Sequence, residues 1–494
     1  MTNYTKFIIR GSLFILFITA LSALLGYSLR VILARNLEPI ELGLFYAIFN
    51  FVMFFSLLRN FGLGAALIKY IPQYQVKNET HLISSSISSI FWLRILIAGL
   101  VSLILLSITT YLSEHYFKDP RATLIYFFIV LFFFFGIIVD NLRNLFEAFQ
   151  KPFLFPLVDF SKNLVVLLLC IFLFYFSSLE RVLIPGIAYF LSVVFLPFIF
   201  FPIFLYVFPL FKYSLRFNKT LAKEYLFFGL PFILISVSSI IISQVDTLIL
   251  TYFRTLEEVG VYNIVLPTSL LLLYFSNALS SVLFPLCSQL MAKKDFNQLS
   301  TIIKVIQKYI FVVIVPIGFS LFVFARDFLG LLFGEEYTTG ALALQILIPG
   351  VIFYVLSIVF QYILAGIGHP KKVAFIVGAA ALTNLGLNLL LIPSFGINGA
   401  AITTSFSYIL ALGLTLYFLS KEITLSIPWK SWLFTFFAGF IFIITLDYLF
   451  SVLSFNYFVN LGISLIVSGL VYLALILLFK VVDLSEIALF LKKV

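Results

Sequence analysis

Long apolar segments recur along the whole chain, and only short polar connections separate them. About 20 consecutive apolar residues are needed for one α-helix to cross the hydrocarbon core of a membrane. The segments here reach that length and are continuously apolar, whereas a transmembrane β-strand would alternate with period two. The first segment, Ser12 to Leu33, is too long for the core of a cleaved leader. The pattern predicts an all-α, polytopic membrane protein.

Fourteen membrane helices account for these segments. Their loops are short, and none has room for a separate folded domain. The predicted helices cover residues 10–33, 42–67, 83–111, 122–148, 153–176, 182–208, 224–252, 259–290, 305–325, 340–365, 372–392, 398–419, 430–450 and 457–479.

Lysine and arginine are shared unequally between the two sides of this arrangement. With the N-terminus inside, 20 of the 31 basic residues fall in inner loops and tails, six in outer loops and five within the predicted helices. Cytoplasmic loops of membrane proteins carry such an excess. We therefore expect a cell (plasma or inner) membrane protein with cytoplasmic N- and C-termini. The same bias explains the net charge of +10, so no nucleic-acid partner is predicted.

The chain contains a weak internal repeat. Two six-helix copies inserted in the same direction would be related by a pseudo-two-fold axis along the membrane normal. The matching positions are Gly11 with Gly229, Leu37-Glu38 with Leu256-Glu257, Gly43 with Gly260, Gln73 with Gln289, and Pro152 with Pro370. The predicted division is an N-terminal lobe over 1–212, a C-terminal lobe over 213–420, and an appended helix pair over 421–494.

Ionisable residues occur at membrane depth in the first lobe, where each costs about 2.5–3.5 kcal/mol by insertion scales. Asp140, Arg143 and Glu147 share one face of the fourth predicted helix because of their i, i+3, i+7 spacing. The fifth helix carries Asp159 and Lys162. One interpretation is that these charges pair with each other and hold helices together.

Arg59 and Arg94 are harder to explain as paired charges, because the sequence around each of them contains no carboxylate. Arg59 lies about ten residues, or roughly 15 Å, from the cytoplasmic end of its helix. Counting all deep charges of this lobe leaves a positive surplus. The alternative interpretation is therefore a water-filled cavity with a cationic lining, suited to an anionic ligand such as a diphosphate.

Two further charges lie towards the outer side. Arg30 ends the first helix, where a snorkelling side chain explains it as well as a ligand contact does. Asp246 shares a helix face with Ser239 and Ser243, which predicts a polar interior around it.

Other functional motifs are missing from the sequence. It has no Gly-rich phosphate loop of the ATPase type, and its three histidines are isolated in loops. The two cysteines lie inside apolar segments, as expected for core residues. We therefore predict no metal, no cofactor and no enzymatic activity.

Several segments resemble the multidrug/oligosaccharidyl-lipid/polysaccharide exporter superfamily. They are residues 244–250, Glu258 to Tyr262, and Gly368 to Lys371, together with the two six-helix repeats. The chain is most similar to polysaccharide-biosynthesis flippases, which move lipid-diphosphate-linked oligosaccharides. Residues 57–62 also resemble the second helix of lipid II flippases, although predicted helix 8 carries no arginine here.

This resemblance implies two helical lobes around a cavity that opens alternately to the two sides of the membrane. It implies that Arg59, Arg94 and Lys162 hold a diphosphate headgroup while the lipid tail stays among the membrane lipids. Glutamates in the equivalent loops of the two lobes become outer-gate candidates, namely Glu38, Glu41, Glu257 and Glu258. Coupling to Na⁺ or H⁺ and contact with glycan-assembly enzymes are left open.

Two other functions remain as alternatives. A cation-coupled multidrug exporter of the same fold would favour acidic and aromatic cavity chemistry, which the basic surplus does not match. A membrane-embedded glycan polymerase or ligase would need a large outer loop with catalytic groups, and this sequence has no such loop.

Overall fold

The chain folds almost entirely into helices. A computed structural model describes residues 3–293, 295–423, 428–454 and 456–482. Within these residues no β-strand occurs, and the predicted all-α class is confirmed. The helices α1 to α18 are Asn3–Asn36, Pro39–Phe54, Ser56–Asn60, Leu63–Val76, Thr80–Ser107, Thr109–His115, Ala122–Ala148, Phe155–Phe176, Ile184–Val207, Lys219–Phe253, Leu256–Ser269, Leu273–Ala292, Phe296–Val323, Ala325–Leu332, Ala341–Gly366, Pro370–Ser420, Trp429–Val452 and Tyr457–Leu478.

Twelve segments of the described chain are long and apolar enough to cross a membrane. The predicted eighth helix is interrupted in the structure and consists of α11, a short 3₁₀ turn and α12. The predicted eleventh and twelfth helices form one long element, α16, in which Gly396 adopts a non-helical conformation (φ 54°, ψ −133°). The count of fourteen spans stays a prediction.

The chain divides into two compact units. Unit 1 contains Met1–Ile264, Leu332–Tyr337 and Leu385–Ala400, and unit 2 contains the remaining segments. These boundaries place α10 in unit 1, so they differ from the predicted limit between repeats at residue 212. The predicted lobes are defined by sequence similarity, whereas the units are defined by packing. The division into lobes remains a prediction.

Unit 1 has an extensive apolar core. Leu63, Phe146, Phe204 and Tyr225 are among its buried members, and they come from α4, α7, α9 and α10. Moving a large apolar side chain from water into such a core stabilises the folded chain by about 1.5–3 kcal/mol. Within unit 2, Phe442 of α17 and Tyr472 of α18 belong to a smaller buried cluster.

Two pairs of glycines allow backbones in unit 1 to touch. A Cβ atom on Gly43 of α2 would overlap the Leu256 carbonyl oxygen, and one on Gly260 of α11 would overlap that of Pro39. Gly43 and Gly260 are thus in direct contact, and they are also equivalent positions in the predicted repeat. A side chain at either position would separate α2 from α11.

The second pair, Gly62 and Gly229, lies at an interruption of the second membrane segment. Phe61 (φ 39°) and Gly62 (φ 68°) are left-handed and separate α3 from α4. A Cβ atom on Gly62 would lie 2.5 Å from Gly229 Cα of α10, so the break is packed against a helix far away in sequence. The sequence predicted one uninterrupted helix over 42–67, which was wrong at this point.

Candidate ligand-binding cavity

Unit 1 contains a cavity of about 700 Å³. Helices α2 to α5 and α7 to α10 supply its walls. Six of the eight binding residues predicted from the sequence line this cavity, whereas Arg30 and Asp246 do not. The charged residues of the lining are Arg59, Arg94, Asp140, Arg143, Asp159 and Lys162.

Arg59 is positioned by the break in the second membrane segment. It is the penultimate residue of α3, two positions before the left-handed Phe61. Its Nη2 atom donates to Asp140 Oδ2 at 2.6 Å, and its Nη1 atom donates to the Phe133 carbonyl oxygen at 2.6 Å. Gly136 leaves space for this side chain, since a Cβ atom there would lie 3.0 Å from Arg59 Nη1.

This pairing corrects the sequence interpretation of Arg59. The carboxylate that the local sequence lacks is supplied by Asp140, 81 residues away on α7. The same contact shows that Asp140 pairs with α3, whereas pairing within α7 was one of the interpretations of the sequence.

Arg94 is almost completely buried, with 1% of its surface exposed. Its Nη1 atom donates to the neutral side chain of Asn141 at 2.7 Å, and its Nε atom has no hydrogen-bond partner. Gly64 provides room for the guanidinium, because a Cβ atom there would lie 2.9 Å from Arg94 Nη2. Among the described residues, no carboxylate lies within salt-bridge distance of Arg94.

Arg143 joins two helices through carboxylates. Its Nε atom donates to Asp159 Oδ2 of α8 at 2.7 Å, and its Nη1 atom donates to Glu147 Oε2 at 3.0 Å. This cluster matches the interpretation in which the charges of the fourth and fifth predicted helices pair with each other. All three side chains are about one third exposed or slightly more, so solvent weakens these ion pairs.

The cavity lining carries an excess of positive charge. Four cations (Arg59, Arg94, Arg143 and Lys162) face two carboxylates (Asp140 and Asp159), which leaves a formal excess of two. Lys162 has no ion pair within the part of the chain that the structure describes. The cavity therefore offers donors and charge to an anion.

Arg30 is held by other contacts of unit 1. Its Nη1 atom donates to the Asn263 carbonyl oxygen at 2.8 Å, and its guanidinium lies 4.9 Å from the centre of the Tyr46 ring. Both contacts stabilise the charge locally. A direct role of Arg30 in ligand binding stays a prediction.

Asp246 lies in a separate buried polar cluster. It is 1% exposed and accepts hydrogen bonds from the Tyr262 hydroxyl at 2.6 Å and from Asn388 Nδ2 at 2.5 Å. The expected polar surroundings are therefore present. These hydrogen bonds connect α10, α11 and α16, so they stabilise the packing of the three elements.

The gate candidates of the first loop have structural contacts. The Glu38 backbone nitrogen donates to Glu41 Oε2 at 3.2 Å at the start of α2. Glu41 also lies 3.5 Å from Arg121, which pairs with Asp119 at 2.8 Å. The Arg121 hydrogen bonds hold the pKa of the Asp119 carboxyl below its usual range.

The candidates of the second loop differ from one another. Glu258 pairs with Arg254 at 2.9 Å and accepts a hydrogen bond from the Ile397 backbone nitrogen at 3.3 Å. It therefore supports the kink beside Gly396. Glu257 is exposed. A gating role for these four glutamates stays a prediction.

Some residues in or next to the cavity were not predicted from the sequence. Asn141, the partner of Arg94, follows Asp140 directly, but single asparagines in apolar helices have no distinctive signature. Ser236 and Gln244 of α10 line the cavity. Their presence follows from the packing of α10 in unit 1, which the sequence repeat did not indicate.

Comparison with protein families identifies two overlapping matches. The model of the family described as "Polysaccharide biosynthesis protein" matches residues 8–291, more than half of the chain. The MatE model matches residues 231–390.

Individual relatives agree with these matches. The uncharacterized membrane protein MJ1068 of Methanocaldococcus jannaschii is 28% identical over 98% of both chains. The probable low-salt glycan biosynthesis flippase Agl15 of Haloferax volcanii is 28% identical over 40% of this chain and 41% of its own length.

Solved structures share the fold. The lipid II flippase MurJ in an inward closed conformation has a TM-score of 0.78 at 18% identity, covering 94% of this chain and 98% of its own. An inward-facing multidrug resistance MATE family transporter has a TM-score of 0.68 at 16% identity, covering 81% and 94%. The chain therefore belongs to the polysaccharide biosynthesis protein family, within the multidrug/oligosaccharidyl-lipid/polysaccharide exporter superfamily.

Proposed function

We propose that this protein is a flippase that moves a polyprenyl-diphosphate-linked oligosaccharide from the cytoplasmic to the outer leaflet of the cell membrane. The observation that carries this proposal is the buried charge of Arg94, which has no carboxylate within salt-bridge distance among the described residues. An arginine stays protonated in proteins, and a neutral amide such as Asn141 cannot balance its charge. A buried cation without a carboxylate is costly unless a ligand supplies the anion.

The geometry suits a diphosphate headgroup. Guanidinium groups bind phosphate oxygens with paired, charge-assisted hydrogen bonds, and Arg94 lines the cavity. Arg59 and Lys162 line the same cavity and add two more cations. Neutral polar groups such as Asn60, Ser236 and Gln244 provide hydrogen-bond partners for glycan hydroxyls.

The translocation cycle follows from this binding mode. The headgroup enters from the cytoplasmic leaflet, the glycan occupies the cavity, and the lipid tail remains in the bilayer. Closure on the inner side and opening on the outer side then expose the headgroup to the outside. The names of two relatives, a lipid II flippase and a probable glycan biosynthesis flippase, support this class of activity.

The MatE match favours one alternative, a cation-coupled multidrug exporter. A cationic drug would meet an excess of positive charge in this cavity, which disfavours binding. The two functions therefore predict opposite ligand charges.

Reconstitution separates the two functions. Proteoliposomes are loaded with a fluorescent lipid-diphosphate-sugar, and a membrane-impermeant reagent reports the headgroups on the outside. In parallel, efflux of a cationic dye is measured under Na⁺ and H⁺ gradients. We expect protein-dependent appearance of the headgroup and no dye efflux. Dye efflux without headgroup translocation would refute the flippase and support the exporter.

A further inference from the structure

The stretch that leads from the end of α9 into the first turns of α10 is strongly basic, and we call residues 208–224 the basic segment. Its charged residues are the cations Lys212, Arg216, Lys219 and Lys223 and the carboxylate Glu224, which give a formal charge of +3. All four basic side chains are exposed. Within the part of the chain that the structure describes, none of them has an ion pair. Their charge is therefore available to an external anion.

Large apolar side chains alternate with these cations. Phe211 is 68% exposed, Leu215 is 43% exposed and Phe217 is 46% exposed. Phe211 precedes Lys212 in the sequence, and Leu215 and Phe217 flank Arg216. Exposed aromatic and aliphatic residues interleaved with lysine and arginine are typical of segments that lie in the surface of a membrane.

The backbone of the basic segment is held in place against α5. Phe208 belongs to the buried core of unit 1. Ser84 Oγ lies 3.3 Å from the Ser214 carbonyl oxygen, within hydrogen-bonding distance, and Ser89 Oγ accepts a hydrogen bond from the Asn218 backbone nitrogen at 2.9 Å. The cations are thus carried by a fixed backbone, so little backbone entropy is lost when a ligand binds.

These contacts also place the basic segment at the membrane surface. The helix α5 has 28 residues, or about 42 Å, which matches a bilayer with its headgroup regions. Ser84 and Ser89 lie four and nine residues after the start of α5, or about 6 and 14 Å along it. The segment beside them is therefore at the depth of the lipid headgroups.

We propose that the basic segment binds the headgroups of anionic phospholipids. Its lysines and arginine interact with the lipid phosphates through charge-assisted hydrogen bonds. Phe211, Leu215 and Phe217 pack among the glycerol groups and the upper parts of the acyl chains. None of the residues that line the charged cavity belongs to this segment. The site is therefore independent of the proposed translocation of a diphosphate-linked glycan.

Other partners match the basic segment less well. A zwitterionic lipid would cover the apolar side chains but would leave the charge of +3 unbalanced. An acidic soluble protein could balance the charge. It could not follow Phe217, which lines an open apolar groove with Leu96 of α5, because α5 is long and apolar enough to cross the membrane. An anionic phospholipid satisfies both the charge and the apolar side chains.

The fluorescence of Trp92 provides a direct test, because this residue lines the same groove as Phe217 and is 56% exposed. The chain has three tryptophans, so Trp429→Phe and Trp432→Phe leave the emission of Trp92 alone. The full chain is reconstituted in phosphatidylcholine bilayers that contain increasing fractions of a brominated lipid, either phosphatidylglycerol or phosphatidylcholine. The two quenching curves give the binding constant of phosphatidylglycerol relative to phosphatidylcholine at this surface.

We expect a preference of about fivefold or more for phosphatidylglycerol, since one cation near an anionic surface already contributes a factor of about five. The preference should decrease when the ionic strength is raised from about 0.05 to 0.5 M, because salt screens exposed charges. Equal quenching by the two brominated lipids at low ionic strength would overturn the proposal.

Two double variants in this background separate the basic segment from the general positive charge of the protein. Lys212→Gln/Arg216→Gln removes two of the four cations and should lower the preference at least threefold. Lys371→Gln/Lys430→Gln removes two exposed lysines of unit 2 and should leave it unchanged. Both variants change exposed side chains, so their thermal midpoints should equal that of the parent. An equal loss of preference in the two variants, or no loss in Lys212→Gln/Arg216→Gln, would also overturn the proposal.

Discussion

At the residue scale, two arginines of one cavity differ in what balances their charge. Arg59 pairs with a carboxylate at 2.6 Å, whereas Arg94 is bonded to an amide. The first contact can serve structure alone, since ion pairs between helices stabilise packing when both partners are present. The second leaves a buried charge that Asp140 can stabilise only from beyond salt-bridge distance. Arg94 is therefore the stronger candidate for ligand binding.

Replacing Arg59 with alanine tests its two roles. The single variant leaves Asp140 without its partner, and we expect it to lose export and about 1–3 kcal/mol of stability. The double variant Arg59→Ala/Asp140→Asn removes the orphaned charge and should recover most of the stability but not export. Thermal unfolding and complementation of a flippase-deficient strain measure the two effects. Recovered export in the double variant would show that Arg59 acts only through Asp140.

Gly64 tests the placement of Arg94. In Gly64→Ala, the new methyl group would lie 2.7 Å from Asn144 Nδ2 and 2.9 Å from Arg94 Nη2, and the flexible ends of both side chains can move away. We expect normal abundance in the membrane and at least a tenfold fall in headgroup translocation. The control is Gly99→Ala, where a Cβ atom meets Phe134 at an ordinary 3.7 Å. Equal translocation rates in both variants would contradict a precise requirement for the Arg94 position.

At the scale of elements, the breaks in helices were the features least accessible to sequence analysis. Hydropathy predicted one helix over 42–67, but the structure has α2, α3 and α4 with a left-handed Phe61. A non-glycine residue with positive φ is unfavourable locally and persists only where packing supports it. The support here is Gly229, which lies far along the chain, so a local pattern could not indicate it.

The contact between Gly62 and Gly229 makes a prediction for stability. A Cβ atom on Gly229 would overlap the Phe61 carbonyl oxygen, and backbone on both sides cannot easily yield. We expect Gly229→Ala to lower stability by about 1–3 kcal/mol. Gly386→Ala is the control. Gly386 also lies in a long helix, α16, but a Cβ atom there would meet no heavy atom within 4 Å. Equal thermal midpoints would argue against this close packing.

At the scale of the whole molecule, the sequence was most informative about the fold class. Long apolar segments predicted an all-α membrane protein, and the helices and the family membership confirm that class. The polar positions of the site were also recognisable, since six of the eight predicted residues line one cavity. The partners of these residues could not be recognised from the sequence. Helix packing alone brings together Arg59 with Asp140 and Arg143 with Asp159.

The orientation of the chain remains a prediction that labelling can test. Lys118 and Lys212 are both exposed, and the distribution of basic residues places them on opposite sides of the membrane. A membrane-impermeant maleimide applied to intact cells should label Lys118→Cys but not Lys212→Cys. Permeabilised cells provide the control, in which both should react. Labelling of Lys212→Cys alone in intact cells would reverse the orientation.

The most direct test of the central claim is the rate of headgroup translocation when one buried charge is removed. Arg94→Gln and Arg181→Gln each delete one arginine, the first from the cavity and the second from an exposed site. Both are reconstituted at equal protein density with the fluorescent lipid-diphosphate-sugar. We predict at least a tenfold lower rate for Arg94→Gln and an unchanged rate for Arg181→Gln. Equal rates in the two variants would contradict the assignment of the cavity as the diphosphate site.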